Sequence, residues 1–160
     1  KANPEKPFYV ITKDIKIKVL GTIFNVSSYV EDSTVQTVLL KGKVTAGRNK
    51  LFASTISLAP GELLTYSKNN STLTKEKVDV NLYSSWVDGY LFFVNMPIKE
   101  VFMKLERYYN QDIKVEDNLG QITFSGKLDL KDNIKDVLDD IVFASSVNMQ
   151  KNDGIYIIKK

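Results

Sequence analysis

Ile15-Lys16-Ile17-Lys18-Val19 sets three aliphatic side chains on one face of an extended backbone and two lysines on the other. A segment of this kind can be buried on one side only. Six more runs rich in Val, Ile, Thr, Phe and Tyr stand in the first half, so strands are predicted over 8–12, 15–20, 23–30, 35–40, 43–46, 56–58 and 63–66. Turn-forming breaks at Lys13-Asp14, Gly21, Glu31-Asp32-Ser33, Gly42, Gly47-Arg48-Asn49-Lys50, Pro60-Gly61 and Asn69-Asn70-Ser71 are spaced as in an antiparallel sandwich or roll. No helical period precedes about residue 95. Within Val19-Leu20-Gly21-Thr22-Ile23-Phe24-Asn25-Val26, Gly21 is predicted to bend the chain from one sheet position to the next. Asn25 is then expected to bond nearby backbone, with either Ile23 or Phe24 packing inward.

The second half changes period. Strands are predicted over 90–94, 112–115, 122–128, 148–151 and 155–158, the last two forming a hairpin at Asn152-Asp153-Gly154. Between them, Ile98, Val101, Phe102, Leu105, Tyr108 and Tyr109 recur at helical spacing after Pro97, as do Ile134, Val137, Leu138, Ile141 and Val142. An offset of 36 residues relates Ile98-Lys99-Glu100-Val101-Phe102 to Ile134-Lys135-Asp136-Val137-Leu138, Leu105 to Ile141 and Ile113 to Met149. The economical reading is a tandem pair of β-α-β units with both helices on one face of one small sheet. The predicted fold class is therefore α+β with two domains: an all-β sandwich or roll over 1–80 and a small αβ domain over 81–160.

Composition removes several chemistries. The 160 residues include no His and no Cys, which excludes thiol catalysis, cysteine metal sites, disulfides and any nucleophile activated by histidine. Twelve basic residues face seven acidic ones over 1–80, and ten face twelve over 81–160. Neither balance makes the basic stripe of a nucleic-acid binder, and Lys13, Lys16 and Lys18 read as a solvated strand face. Asp132, Asp136 and Asp139 share one helix face, but that face opposes the aliphatic stripe and has Lys131 and Lys135 beside it. It reads as solvated, and no metal is predicted. Glu62 and Glu106-Arg107 have the residue type for a carboxylate pair, with nothing that pairs them. Gly47-Arg48-Asn49-Lys50 leads into no helix and reads as a turn, not a phosphate loop. Trp86, Tyr90, Phe92 and Phe93 cluster near the domain junction and read as packing rather than a stacking platform for a sugar. The expectation is a protein that is no enzyme and takes no cofactor.

The ordered set of short motifs resembles a known family. Phe8-Tyr9-Val10-Ile11-Thr12, Val19-Leu20-Gly21-Thr22-Ile23-Phe24-Asn25-Val26, Val38-Leu39-Leu40-Lys41-Gly42-Lys43-Val44 and Leu58-Ala59-Pro60-Gly61-Glu62 follow the order of FecR-type regulators. Trp86-Val87-Asp88-Gly89-Tyr90-Leu91-Phe92-Phe93, Leu105-Glu106-Arg107-Tyr108-Tyr109-Asn110 and Phe124-Ser125-Gly126 resemble the C-terminal domain of the Bacteroidota-type members. That domain is similar to the β-α-β repeat module at the N-termini of secretins and TonB-dependent transporters. The motif positions are Gly21, Thr22, Phe24, Asn25, Gly42, Pro60, Gly61, Trp86, Gly89, Arg107 and Tyr109.

The resemblance implies the periplasmic part of a single-pass inner-membrane anti-sigma factor. Its partners would be the signalling domain of a TonB-dependent outer-membrane transporter and, through a cytoplasmic segment, an extracytoplasmic-function sigma factor, with no nucleic acid bound. The opening Lys1-Ala2-Asn3-Pro4 reads like a piece of something longer, with an upstream membrane helix expected, since no apolar run here approaches about 18 residues. Open sheet edges are the expected docking sites, with Ile122, Thr123, Phe124, Ile155, Tyr156, Ile157 and Ile158 as candidates. The alternative is a glycan-binding or envelope-assembly module with no sigma-factor role.

Overall fold

The computed structural model describes residues 7–160, and the opening Lys1-Ala2-Asn3-Pro4 lies outside the described residues. Backbone contacts divide the chain into two compact units, Lys1–Tyr83 and Ser84–Lys160. Strands dominate both, and the helices of the second make the chain α+β.

The first unit is a series of four hairpins: β1 (Phe8–Ile11) with β2 (Ile15–Val19), β3 (Ile23–Ser27) with β4 (Thr34–Lys41), β5 (Val44–Arg48) with β6 (Thr55–Leu58), and β7 (Glu62–Ser67) with β8 (Thr72–Lys77). They alternate between two antiparallel four-stranded sheets, ordered β1-β2-β5-β6 and β3-β4-β7-β8. The alternation of β2 holds fully: Ile15, Ile17 and Val19 are buried and both lysines exposed. One core joins these three, Val44, Ala46 and Leu58 to Val35, Leu39, Leu64 and Tyr66 of the other sheet. β8 carries a single aliphatic, Leu73, among Thr, Lys and Glu, so its alternation is mute in the sequence. It is an edge strand whose register is set by β7.

The chain changes sheet three times, and each crossing holds a glycine at positive φ: Gly21 (60°), Gly42 (96°) and Gly61 (83°). Two crossings touch. A Cβ on Gly42 would stand 2.9 Å from the Gly21 carbonyl oxygen and 3.1 Å from the Thr22 Cα, and the Thr22 hydroxyl donates to the Lys43 carbonyl at 3.0 Å. Beside this corner the β3–β4 register slips by one residue between Ile23 and Phe24, which turns Phe24 toward the core and leaves Ile23 exposed. Asn25, alternating with Phe24, faces the opposite side of the sheet, beside Val38. At the third crossing, the Gly61 N–H donates to Leu39 O at 2.9 Å, and the Glu62 carboxylate accepts from the Ala59 N–H at 2.7 Å and the Lys75 ammonium at 3.0 Å.

After one short helical turn, α1 (Asn81–Ser84), and a 3-10 turn (Ser85–Asp88), the second unit runs β9 (Tyr90–Pro97), α2 (Ile98–Tyr109), β10 (Ile113–Val115), a 3-10 turn (Asp117–Leu119), β11 (Thr123–Asp129), α3 (Ile134–Ser145), β12 (Asn148–Asn152) and β13 (Ile155–Lys159). The 36-residue offset relates more than the helices. The cap positions Pro97 and Asn133 correspond, and so do the left-handed C-caps Asn110 (φ 49°) and Ser146 (φ 52°). The single small sheet is corrected to two: β9 pairs with β11 antiparallel, and β13 lies between β10 and β12. The strands flanking each helix enter different sheets. Asp153 (φ 48°) and Gly154 (φ 84°) make the tight turn that folds β13 back along β12 and into the middle position. Both helices and both sheets contribute to one core, in which Ile98, Val101, Phe102 and Leu105 meet Val137, Leu138 and Ile141.

Gly42→Ala forces a Cβ against the Gly21 carbonyl and holds an alanine at φ 96°. A loss of about 2–3 kcal/mol is expected in urea unfolding followed by circular dichroism. Glu62 titrates below its usual value of 4.5 because the Ala59 N–H and then Lys75 favour its charged form. A lowered carboxylate pKa adds stability above the unfolded value that is lost as pH falls through the folded one. Glu62→Gln is therefore less stable than the parent at pH 7, and the gap closes below pH 4.5.

Candidate partner-binding surfaces

β9 and β11 form a two-stranded ribbon in which, among the described residues, each strand has one hydrogen-bonded neighbouring strand. Its register slips between Phe124 and Gly126, so that Val94 and Asn95 on β9 oppose Ser125 alone. Asn95 takes φ 49°, which asparagine tolerates better than most residues. Its N–H donates to the Ser125 hydroxyl oxygen at 2.8 Å, and that hydroxyl lies 3.3 Å from the Asn95 amide oxygen. Gly126 makes room for the Phe124 ring, whose Cζ would lie 2.9 Å from a Cβ there. Phe124 then meets Phe93 edge to face at 5.9 Å. Phe124-Ser125-Gly126 is thus a bulge lock: one residue anchors in the core, the next secures the partner strand, and the third leaves space.

The aromatic cluster near the start of the unit divides by strand alternation. Leu91 and Phe93 turn to the core, whereas Tyr90 and Phe92 lie on the other face under the Lys127 ammonium, 3.8 Å and 5.6 Å from their ring centroids. Lys131 adds a second cation 5.2 Å from Tyr90 and packs its alkyl stem against Gly89. Trp86 sits on the 3-10 turn, about half exposed.

The edge candidates separate. Ile155, Tyr156, Ile157 and Ile158 lie on β13, paired on one side with β10 and on the other with β12, so their backbone is the middle of a sheet and offers no edge. Tyr156 and Ile158 also belong to the core. The error has a physical source: the last strand in sequence is an edge only if the hairpin folds outward, and here it folds inward. Ile122 is tied on both sides, its N–H donating to Leu119 O at 3.0 Å and its carbonyl accepting from Ile98 N–H at 2.9 Å. Thr123 is exposed at the start of β11, and Phe124 is buried. Of the proposed set, Thr123 and Phe124 lie on a strand with an open side. Asn95 and Ser125 carry the local geometry; the sequence offers Asn95 only as a residue ahead of the helix start.

The other motif residues are structural. Gly21, Thr22 and Gly42 form the first corner, Pro60 and Gly61 the third crossing, and Gly89 closes the 3-10 turn at φ 84°. Arg107 lies in the last turn of α2. The Tyr109 hydroxyl donates to the Asp132 carbonyl at 3.1 Å, linking the end of α2 to the turn before α3. Burial, then Tyr108, Asp132 and Asp129, raise the Tyr109 pKa. Four carboxylates are engaged locally: Asp136 accepts from the amide of the cap residue Asn133, Asp139 from Lys135, Glu62 from the Ala59 N–H and Lys75, and Glu106 from the Ile113 N–H. Among the described residues no helix is long and apolar enough to cross a membrane.

Residues 90–158 match the family model described as FecR, C-terminal. Two crystal structures of a candidate anti-sigma factor from Parabacteroides distasonis ATCC 8503, at 1.65 and 2.50 Å, are similar over the full length. Each is 29% identical with a TM-score of 0.85, and the match covers 100% of this chain and 74% of the other. No curated protein matches.

Gly126→Ala displaces Phe124 from its place against Phe93, and a cost of about 1–3 kcal/mol is expected. Ser125→Ala, which removes an exposed acceptor, costs about 1 kcal/mol or less. Urea midpoints of the two variants, measured side by side, check the order.

Proposed function

We propose that this chain, a FecR-type anti-sigma factor by its C-terminal domain, is the part of that protein that receives a signal in the periplasm. In this reading residues 1–80 are the FecR-type all-β domain and residues 81–160 the C-terminal receiving domain. The signal is occupancy of a TonB-dependent outer-membrane transporter, whose plug-side signalling domain is the partner. The output is an extracytoplasmic-function sigma factor, reached through a membrane helix and a cytoplasmic segment.

The observation that carries the reading is the β9/β11 ribbon within the segment that matches the FecR C-terminal model. A strand with one neighbour keeps a row of N–H and C=O groups on its other side, and an extended partner segment can add to it by main-chain bonds. β11 is the favoured acceptor. It is seven residues long, and Phe124 and Leu128 anchor it in the core while Thr123, Ser125 and Lys127 are exposed along it. The Lys127 ammonium and the Tyr90 and Phe92 rings beside it give an arriving segment cationic and aromatic contacts.

Hydrogen exchange on the 160-residue chain, with and without the purified signalling domain of a transporter encoded beside it, tests the reading. A complex with a Kd of about 1–50 µM is expected, as for a small transient interface. Amides of Thr123–Asp129 should slow, with those of Ile155–Lys159 unchanged. Absence of a complex at about 100 µM sinks the proposal; a complex that protects only the first unit relocates the site and removes β11 from it.

A further inference from the structure

The hairpin turns of the first unit gather at one end of the sandwich, opposite the glycine corners. The Asn49 N–H donates to Asp14 O at 2.7 Å and the Lys68 N–H to Ser33 O at 2.8 Å, joining neighbouring turns within each sheet. A groove lined by Ile11, Thr12, Lys13 and Asp14 from one sheet and by Tyr29, Val30 and Lys68 from the other joins the sheets. This end carries apolar side chains that the core does not use. Phe52 is 97% exposed, Val30 95%, Leu51 85% and Ile11 61%.

Phe52 is the most telling of them. It sits at φ 59°, in the left-handed region where a bulky residue is strained and glycine or asparagine is not. Its ring returns nothing to the core of the unit, so neither backbone propensity nor packing accounts for a phenylalanine at this turn. Val30 is held outward in a similar way, because the Lys68 ammonium bonds the Tyr29 and Val30 carbonyls at 2.5 and 3.2 Å and fixes the turn that presents it. Lys13, Lys68 and Asp14 line the groove, Arg48 and Lys50 directly precede Leu51 and Phe52 in the chain, and Glu31 and Asp32 follow Val30. The end is weakly basic and apolar at its tips.

From this we infer that the hairpin end of the first unit docks on the headgroup region of a phospholipid bilayer containing anionic lipid. The apolar side chains project from separate turns instead of lining a continuous surface. A folded partner would need a matched cavity for each, whereas a bilayer interface admits single wedges and fills the space between them with headgroups. The ammonium groups of Lys13 and Lys50, on two of these turns, are the ones that meet lipid phosphates, which is the charge complementarity a weakly basic rim provides. The inference stands on the first unit alone and does not depend on the transporter or the sigma factor.

Sedimentation of the 160-residue chain with vesicles of phosphatidylcholine and about one part in three phosphatidylglycerol tests it. The parent chain should co-sediment. The double variant Leu51→Ser/Phe52→Ser should partition at least about tenfold less with an unchanged thermal midpoint, since both side chains are exposed. Lys13→Ser/Lys50→Ser should bind the anionic vesicles only as weakly as pure phosphatidylcholine. A parent chain that stays in the supernatant, or a Leu51/Phe52 variant that sediments as well as the parent, overturns the inference. So does sedimentation equilibrium in which the parent self-associates and the variant is monomeric, since the tips would then be an interface between copies of this chain.

Discussion

The contact of two chain crossings, Gly42 against Gly21-Thr22, is the constraint on which the first unit depends. A sheet of hairpins closes into a sandwich only if the chain can leave one layer and enter the other without a long loop. Here it does so with backbone on backbone, at a separation that leaves no space for a Cβ. The Thr22 hydroxyl bonds the Lys43 carbonyl across the same contact and ties the two crossings together. The register slip next to it turns Phe24 inward. The core beyond, from Ile15 to Tyr66, is assembled on the geometry of that corner.

The second unit uses a different device, repetition. Two segments of the same period each supply a strand, an amphipathic helix, a left-handed cap and another strand, and each alone would leave its apolar stripe bare. In one core the stripes of α2 and α3 are both buried against the inner faces of the sheets. The repeat is not fully symmetric, because β13 exists once. By entering between β10 and β12 it closes one sheet around a middle strand and leaves β9 and β11 as a pair.

The sequence was legible where side-chain period and burial coincide. The alternation of β2 and the stripes of α2 and α3 name their own core residues, and the 36-residue offset extends to caps that carry no apolar signal. It was illegible where a neighbour decides. β8 shows only Leu73 to the core, so its identity as a strand comes from β7. The short turns over Asn81–Ser84 and Ser85–Asp88 bury too little to leave a periodic mark. Apolar content placed Ile155, Tyr156, Ile157 and Ile158 in a strand and could not say whether that strand was an edge, since an edge is defined by what is absent beside it. The Asn95–Ser125 bulge escaped for the same reason: a bulge is a relation between two strands 30 positions apart.

A two-stranded ribbon is marginal in water by itself. β9/β11 persists because Leu91, Phe93, Phe124 and Leu128 fasten one of its faces to the helices, while the bulge at Asn95 increases its twist. Fastening by one face fixes the ribbon in place without occupying its edges. The three-stranded sheet is the opposite case, since its most apolar strand is enclosed on both sides and exposes only the short β10 and the polar β12 at its margins. In the proposed reading a segment arriving in extended form pairs with β11, where the strand is held from beneath and every bond it adds extends a sheet that the core already supports.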